Sequence, residues 1–272
     1  MNTQADFMHP ERITSSKATE ATESRRTAGT GSRTSFWLGV VTSIGVAGLA
    51  ALGFFVVPAD DVQGDAVRIM FVHVPSAVGA YLAFGLTLLG SIMWLTRKSE
   101  WWDILAHSAA EVGTLLCGLA IVTGMLWGRP TWGTYWEWGD VRLMTTLILF
   151  LIMVGYLVSR SAFGTADPVS TATKAAVIGI AGAANIPIVH KSVDWWADRT
   201  LHQPSSLTDG KIEDLTLLTL MFGFLVVGLF LCWALIHRFR LGWLERELYA
   251  EELSEALHAR RLEAAEEDRS RS

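Results

Sequence analysis

Apolar residues occur along this chain in six long blocks, which short polar segments separate. A helix needs roughly 20 apolar residues to cross the hydrocarbon core of a membrane. The segments that meet this length are 36–57, 74–95, 104–126, 141–158, 172–189 and 215–236. The pattern predicts an all-α, polytopic membrane protein, with six transmembrane helices packed as one bundle.

The two ends of the chain are polar. Residues 1–35 are rich in Ser, Thr, Ala and charge without apolar periodicity, which predicts a disordered tail. Residues 36–238 hold the six predicted spans, and residues 239–272 are highly charged with leucines near helical spacing, which predicts a helix or tail. Lys and Arg near the span ends place both termini in the cytoplasm. The long polar start argues against a cleaved signal peptide, so we expect the first helix to stay as an anchor.

Composition supports the membrane assignment, since 51% of the residues are hydrophobic and the mean hydropathy is +0.34. The net charge of -5 comes partly from the acidic C-terminal segment, and nothing in its pattern suggests nucleic-acid binding. Cys117 and Cys232 lie inside predicted helices, so we expect no structural disulfide. The chain has no C-x-x-C-H motif, so it is not expected to be a c-type cytochrome itself.

The most unusual segment is the predicted outer loop 127–140, which begins W-G-R-P-T-W-G-T-Y-W-E-W. Five aromatic side chains in twelve residues exceed what an interfacial Trp/Tyr belt needs, although a belt remains the alternative. Gly128, Pro130, Gly133 and Gly139 predict a shaped loop rather than a simple helix end. Flat amphipathic indoles suit a broad planar ligand with polar edges, and heme fits this description best.

Two histidines flank this loop on the same predicted face. His73 lies in F-V-H-V-P-S-A at the outer end of the second span, and His190 lies in I-V-H-K-S-V-D-W-W at the outer end of the fifth. Heme iron accepts axial imidazoles, so the two histidines could clamp a heme. The alternative is that each is an interfacial residue bonded to water or headgroups. His202 is a third candidate, whereas His107 and His237 are expected to be structural.

Charged residues near the loop offer partners for heme propionates. A guanidinium at Arg129 or Arg142 could pair bidentately with a carboxylate. Arg142 is the stronger candidate, because it is predicted just inside the fourth span, where an unpaired charge is costly; Asp140 is its alternative partner. Residues 194–196, Asp-Trp-Trp, could supply a second aromatic wall and an acceptor for an imidazole, or could simply anchor the chain at the interface.

Three stretches resemble one family. The loop W-G-R-P-T-W-G-T-Y-W-E-W-G-D resembles the tryptophan-rich "WWD" signature of heme-handling proteins. F-V-H-V-P-S-A and H-K-S-V-D-W-W-A-D-R-T-L-H-Q-P resemble the matching stretches of heme exporter protein C, also called cytochrome c maturation protein C. The resemblance covers about residues 36–238. It has two departures: Gly139 separates Trp138 from Asp140, and Tyr135 stands where Trp is frequent.

The resemblance implies a site for transiently bound heme b, with His73 and His190 as axial ligands of the iron. It also implies that tryptophans and glycines of the loop, with Asp140, form a platform for the heme. We add Tyr135 because it is aromatic and lies in the same loop, and Arg142 because it could pair with a propionate. The predicted cofactor-binding residues are therefore Trp127, Gly128, Trp132, Gly133, Tyr135, Trp136, Trp138, Asp140 and Arg142.

The resemblance also implies a location and partners. Heme would be held at the periplasmic face of the inner membrane and presented to a periplasmic heme chaperone for c-type cytochrome biogenesis. A two-component ABC transporter, consisting of an ATPase and a membrane subunit, and a small single-helix membrane subunit would complete the complex. The expected role is delivery within the lipid membrane rather than enzymatic catalysis, with any assistance in attaching heme to the chaperone left open.

Two other functions remain open. A membrane b-type cytochrome would also bind heme through two histidines, but it usually holds them on facing helices inside the membrane. A small-solute transporter should place polar or ionisable residues at the midpoints of its helices, and Glu111 is the main candidate here.

Overall fold

The computed structural model describes residues 29–163, 167–203 and 212–271. Its helices are α1 (Arg33–Ala51), α2 (Val67–Arg97), α3 (Glu100–Trp132), α4 (Val141–Phe163), α5 (Pro168–Ala184), α6 (Ile186–Trp195) and α7 (Asp214–Arg271). Across these ranges six spans are long and apolar enough to cross a membrane, with α5 and α6 forming one of them together. The predicted all-α, six-span fold is therefore confirmed. The cytoplasmic placement of the termini stays a prediction, and most of the predicted disordered tail lies outside the described residues.

The second helix begins earlier than hydropathy predicts. Segment 74–95 was expected to span the membrane, but α2 starts at Val67, because the polar side chains of Arg68 and His73 lower the hydropathy without breaking the helix. The Arg68 guanidinium donates to the carbonyls of Gly53 and Phe54 at 2.7 Å each. Those carbonyls belong to a wide π-helical turn, Leu52–Val56, that ends the first span. His73 therefore lies in the second turn of α2 rather than at a helix end.

Two prolines shape the helices around the later site. Pro75 has no N–H, so the carbonyl of Phe71 lacks its usual helical donor, and α7 approaches at this point through Gly223. A Cβ at Gly223 would lie 2.5 Å from the Phe71 oxygen. Pro187 likewise accompanies the break between α5 and α6 at Asn185, whose side-chain amide donates to the Thr145 carbonyl of α4 at 2.9 Å. The break sets the direction of α6, which carries His190.

The core lies between the long helices, with α2 packed against α3, α5 and α7. Its largest fully buried side chains include Phe84, Leu116, Leu149, Met153 and Tyr156. Small residues dominate the remaining core positions, so the helices approach closely and the fold is held by packing along their whole length. The thiols of Cys117 and Cys232 are both free, the first buried and the second exposed.

Two bidentate ion pairs lie at the end of the bundle where α2 ends and α3 begins, which we call the charged end. Arg160 of α4 donates to Asp103 of α3 at 2.6 and 2.8 Å. Arg238 of α7 donates to Glu111 of α3 at 2.6 and 2.5 Å. Glu111, the main candidate for a transporter function, is therefore held in a pair that joins two helices. The opposite end, where α3 ends and α4 begins, we call the aromatic end.

The last helix is much longer than a membrane span. α7 has 58 residues, which at 1.5 Å per residue is about 87 Å, against a hydrocarbon core of about 30 Å. Its second half carries the charged segment that the sequence predicted as a helix or tail. Leu253, Leu257 and Leu262 on this half are exposed.

Candidate ligand-binding site at the aromatic end

The tryptophan-rich segment is only partly a loop. Helix α3 continues through Pro130 to Trp132, so the interpretation of 127–132 as loop was wrong, and Gly128 and Pro130 lie within helix. Pro130 lies in the last turn of the helix and has no N–H, so the carbonyl of Leu126 lacks its usual helical donor there. The helix ends at Gly133, whose φ of 79° requires a residue without Cβ strain. The loop proper is therefore 133–140.

Gly128 has a different role from the predicted one. A Cβ at this position would lie 3.1 Å from the carbonyl oxygen of Thr134 and 3.1 Å from the Trp132 ring. The glycine therefore lets the loop fold back against the last turns of α3. This close return places Trp136 beside the bundle rather than out in solvent.

The aromatic side chains form two groups. Trp127 and Trp132 pack edge to face, with ring centroids 5.0 Å apart, and the Trp127 indole N–H donates to Gln63 at 2.9 Å. Trp136 and Trp138 form the second group, with centroids 6.0 Å apart. The Trp136 indole nitrogen is buried with no hydrogen-bond partner among the described residues, whereas Trp138 is 72% exposed.

Two further residues of the segment face outward. Tyr135 is exposed, and the Arg129 guanidinium lies 5.7 Å from the centre of its ring. Arg129 also donates to the carbonyl of Gly133. Arg129 therefore contacts the loop itself. Of the two candidate arginines, Arg142 is the one that lines the large cavity described next.

One cavity joins the predicted ligands. A cleft of about 570 Å³ is lined by His73, His190, His202 and Arg142, together with apolar side chains of α2 and α7. Ligand sites of proteins typically enclose about 300–1,000 Å³, so this volume suits a molecule of drug or cofactor size. A smaller cleft beside it brings Trp127 against His73 and His202, and another brings Trp136 against the same two histidines. Of the nine predicted cofactor-binding residues, only Arg142 lines the large cavity itself.

His73 is held firmly in this cavity. Its Nδ1 lies 2.9 Å from the Ala120 carbonyl oxygen and 3.2 Å from the Thr123 hydroxyl on α3. Gly124 makes room for the ring, because a Cβ there would lie 2.9 Å from His73 Cε1. An imidazole that donates its Nδ1–H to a carbonyl keeps the Nε2 lone pair free, which is the form that binds a metal.

His190 is less constrained. It lies in the middle of α6 with an exposed side chain, and its ring has no hydrogen-bond partner within the ranges the structure describes. Helix α6 continues past His190 to Trp195, which Asp194 would need in order to orient the His190 imidazole. The Asp194 carboxylate instead pairs with Lys191 at 3.1 Å. Trp195 is 59% exposed and lies away from the core.

His202 lies between the aromatic groups and His73. Its ring centroid is 6.4 Å from that of Trp127 and 6.2 Å from that of Trp132, and its Nδ1 lies 2.8 Å from the Gln203 carbonyl oxygen. Burial, together with the nearby charge of Arg142, lowers the pKa of this imidazole to about 4. The ring is therefore neutral at neutral pH and can act as a ligand.

Asp140 anchors the segment that carries His202. The carboxylate is 2% exposed, and its Oδ1 accepts the Leu143 N–H at 2.9 Å, as expected for a residue capping α4. Its Oδ2 accepts the Leu201 N–H at 2.6 Å and the Thr200 hydroxyl at 3.1 Å. The carboxylate is thus occupied by backbone and hydroxyl donors, and its predicted contact with heme stays untested.

Arg142 projects from the first turn of α4 into the cavity without a counter-charge. Among the described residues no carboxylate oxygen lies within 4.0 Å of its guanidinium, and Asp140, the alternative partner, makes no ion pair with it. A partly buried arginine of this kind needs an anion for its full stabilisation. The cavity therefore combines three imidazoles with the Asp194 carboxylate, which pairs with Lys191, and with the Arg142 guanidinium, which has no ion-pair partner within the described ranges.

Comparison with known proteins assigns the family. Residues 17–254 match the family model described as CcmC, heme exporter protein C. The chain belongs to the heme exporter protein C family. It is 43% identical over 174 residues to heme exporter protein C of Bradyrhizobium diazoefficiens, a match that covers 63% of each chain and so less than two thirds of that relative. Identity is 34% over 206 residues with the Haemophilus influenzae protein and 32% over 198 residues with that of Escherichia coli K12; the two matches cover 72% and 71% of this chain and 78% of each relative.

Family membership confirms the resemblance drawn from the three sequence stretches. In this member of the heme exporter protein C family, several residues that shape the site had no signal in the sequence. Gly124 acts by leaving space beside His73, and Thr200 acts by linking Asp140 to the segment that holds His202. Both act through contacts between elements that are distant in the sequence, so no local spacing pointed to them.

Proposed function

We propose that this chain binds heme b transiently in the cavity at the aromatic end and delivers it for c-type cytochrome biogenesis. The observation that carries the proposal is that His73, His190 and Arg142 line one cavity of about 570 Å³. These are the two predicted axial ligands and the predicted propionate partner. The relatives named heme exporter protein C support heme as the cargo.

Each part of the cavity matches one part of the heme. The lone pairs of His73 and His190 would bind the iron, because neutral imidazole nitrogens are common axial ligands. The Arg142 guanidinium would pair with a propionate, which supplies the missing counter-charge. Apolar side chains of α2 and α7, with Trp127 and Trp136 in the adjoining clefts, would cover the ring, and removing this flat apolar surface from water supplies most of the affinity.

The exposed aromatic side chains give the site a surface for handover. Trp138, Tyr135 and Trp195 are 72%, 54% and 59% exposed, and all three belong to segments beside the cavity. Exposed aromatic residues of this kind are frequent at protein-protein interfaces. We assign the recipient as a periplasmic heme chaperone and the role of this chain as delivery rather than catalysis.

The proposal includes a membrane arrangement. Both termini would be cytoplasmic and the aromatic end would face the periplasm across the inner membrane, as the distribution of Lys and Arg predicts. The chain would work with a two-component ABC transporter and a small single-helix membrane subunit. The charged half of α7 would then extend into the cytoplasm.

Heme transfer tests the function directly. The purified protein is loaded with hemin in nanodiscs, mixed with a tagged apo heme chaperone and separated, and the heme in each fraction is measured from its absorption. We expect heme to move to the chaperone, and His73→Ala and Arg142→Gln to load less heme than the parent. His258→Ala, an exposed change on the charged half of α7, is the matched control and should behave as the parent. Heme that stays bound despite excess chaperone would contradict delivery and favour a b-type cytochrome.

Cysteine labelling tests the orientation. After Cys117 and Cys232 are replaced by Ser, a single cysteine is introduced as Glu137→Cys in the aromatic loop or as Ser254→Cys on the charged half of α7. A membrane-impermeant maleimide added to spheroplasts should label only the Glu137→Cys protein. Labelling of only the Ser254→Cys protein would reverse the proposed topology.

A further inference from the structure

A second large cavity lies at the charged end of the bundle. Its volume is about 550 Å³, close to that of the cavity at the aromatic end. Its walls come from α3, α4 and the part of α7 that follows the predicted span 215–236, and they include Ile104, Leu157, Arg160, Gly242, Arg246 and Tyr249. The proposed heme function gives this cavity no role.

The cavity lies at the boundary between the hydrocarbon core and the lipid headgroups. Ile104 begins the predicted span 104–126 and Val158 ends the span 141–158, and both residues line the cavity. Helix α7 passes at the same depth, because a Cβ at Gly242 would lie 3.0 Å from the Ile104 side chain. Val158 is 56% exposed, so in a membrane its side chain faces the acyl chains. The apolar part of the wall is therefore within reach of lipid.

The inner wall of the cavity consists of charges that already neutralise one another. The Asp103 carboxylate pairs with Arg160 at 2.6 Å, and the Glu111 carboxylate pairs with Arg238 at 2.5 Å. These bidentate pairs join α3 to α4 and to α7. They give the site a fixed shape but leave it no free charge.

Two neighbouring residues of α7 supply the charges that remain available. Arg246 Nε lies 3.2 Å from Glu100 Oε2, yet this buried nitrogen has no hydrogen-bond partner among the described residues. A guanidinium carries five N–H donors, so Arg246 can offer several of them to an acceptor in the cavity. Glu245 lines the same cavity with an exposed side chain, and it makes no ion pair within the ranges that the structure describes.

The balance of charge selects the kind of headgroup. Three carboxylates and two guanidiniums line the cavity, which leaves one excess negative charge, and Glu100 and Arg238 outside the wall cancel each other. A purely anionic headgroup would be repelled by the excess carboxylate, and a simple cation would leave the donors of Arg246 unused. A headgroup that carries both a phosphate and a primary ammonium satisfies Arg246 and Glu245 together.

We propose that the cavity at the charged end binds one molecule of phosphatidylethanolamine from the adjoining leaflet. Its phosphate accepts hydrogen bonds from Arg246, its ammonium donates to Glu245, and an acyl chain lies along Leu157 and Val158. Residues 252–270 of α7 are exposed, so the lipid fills the gap where the charged half of this helix leaves the bundle. The site is separate from the cavity at the aromatic end and does not depend on the proposed heme function.

Native mass spectrometry of the delipidated protein tests the headgroup preference. The protein in detergent is titrated with dioleoyl phosphatidylethanolamine, phosphatidylglycerol or phosphatidylcholine, and the fraction that carries one lipid is measured. The glycerol headgroup has no ammonium, and the choline ammonium has no N–H. We expect both lipids to bind about threefold to tenfold more weakly than phosphatidylethanolamine, which is the effect of one lost hydrogen bond.

Substitutions in α7 separate the two headgroup contacts. Arg246→Gln should weaken the binding of all three lipids about tenfold, because each of them carries the phosphate. Glu245→Gln should remove the preference for phosphatidylethanolamine and leave phosphatidylglycerol bound at least as tightly as before. Glu255→Gln and Arg260→Gln, at exposed positions of the same helix beyond the cavity, are the matched controls and should bind as the parent does.

Val158→Trp gives a second test that leaves every charge in place. The larger side chain should occupy the apolar part of the cavity and lower the uptake of phosphatidylethanolamine, while thermal unfolding without lipid shows that the variant is folded. The proposal is overturned if phosphatidylglycerol binds the parent as tightly as phosphatidylethanolamine does. It is equally overturned if Arg246→Gln binds lipid like its Arg260→Gln control, or if the folded Val158→Trp protein binds phosphatidylethanolamine as the parent does.

Discussion

Gly124 provides the sharpest structural test of the position of His73. A Cβ at this residue would lie 2.9 Å from Cε1 and 3.4 Å from Nδ1 of the imidazole. Non-bonded carbon atoms prefer a separation of about 3.5–4.0 Å, so Gly124→Ala must displace the ring by about half an ångström. The hydrogen bonds from Nδ1 to Ala120 and Thr123 resist that movement.

The expected effects of Gly124→Ala on folding and on binding differ. Alanine favours a helix over glycine by about 1 kcal/mol, whereas overpacking costs about 1–3 kcal/mol, so the free energy of unfolding should fall only slightly. A side chain that binds a metal must be held within about 0.5 Å of its binding geometry. Disturbing the groups that hold such a side chain typically lowers the affinity about tenfold to a hundredfold. We therefore expect heme binding to weaken by about 1.4–2.7 kcal/mol.

The assay is a titration with hemin, followed by Soret absorbance, together with thermal unfolding of the same samples. Gly85→Ala is the matched control, because Gly85 lies on the same helix as His73 and an added Cβ would meet nothing within 4 Å. The control should bind heme as the parent does. The reasoning is refuted if Gly124→Ala binds heme with unchanged affinity and spectrum, or if Gly85→Ala weakens binding as much.

Three further substitutions probe the fold and the exposed aromatic surface by thermal unfolding and hemin titration. Asp103→Asn leaves Arg160 buried without its counter-charge, so unfolding should become easier by about 3–5 kcal/mol; unchanged stability would contradict the pairing. Gly223→Ala forces a Cβ against the Phe71 carbonyl and should cost about 1–3 kcal/mol, seen as a lower midpoint. Trp138→Ala should change stability by less than about 0.5 kcal/mol, since its ring is 72% exposed. The same change should leave the hemin affinity unchanged, because Trp138 lines none of the three clefts, and weaker binding would place its ring against the heme.

The number of spans followed from the sequence because length and hydropathy are local properties, but the ends of the helices did not. Arg68 lowers the hydropathy at the start of α2, yet its guanidinium satisfies carbonyls of the π-helical turn and so belongs to the helix. Pro130 and Gly128 are typical of loops, yet α3 continues past both because the aromatic loop folds back onto its last turns. Tertiary contacts overrode local preference in each case.

The sequence predicted those site residues that come together because they lie at the same depth in the membrane. His73, His190 and Arg142 were each expected near the same face, and all three line one cavity. The place of Asp140 was not predictable, since its partner Thr200 is 60 residues away and the hydrogen bonds depend on how the chain returns after α6. The sequence also could not show how firmly His202 is held in the site, because the group that anchors its ring is a backbone carbonyl.

The most direct test of the central claim is the visible spectrum of the hemin-loaded protein beside that of His73→Ala. The account predicts a six-coordinate, low-spin heme in the parent and a loss of that signal, with weaker binding, in the variant. The account is contradicted if the parent takes up no heme, or if the variant binds heme with the same spectrum and the same affinity.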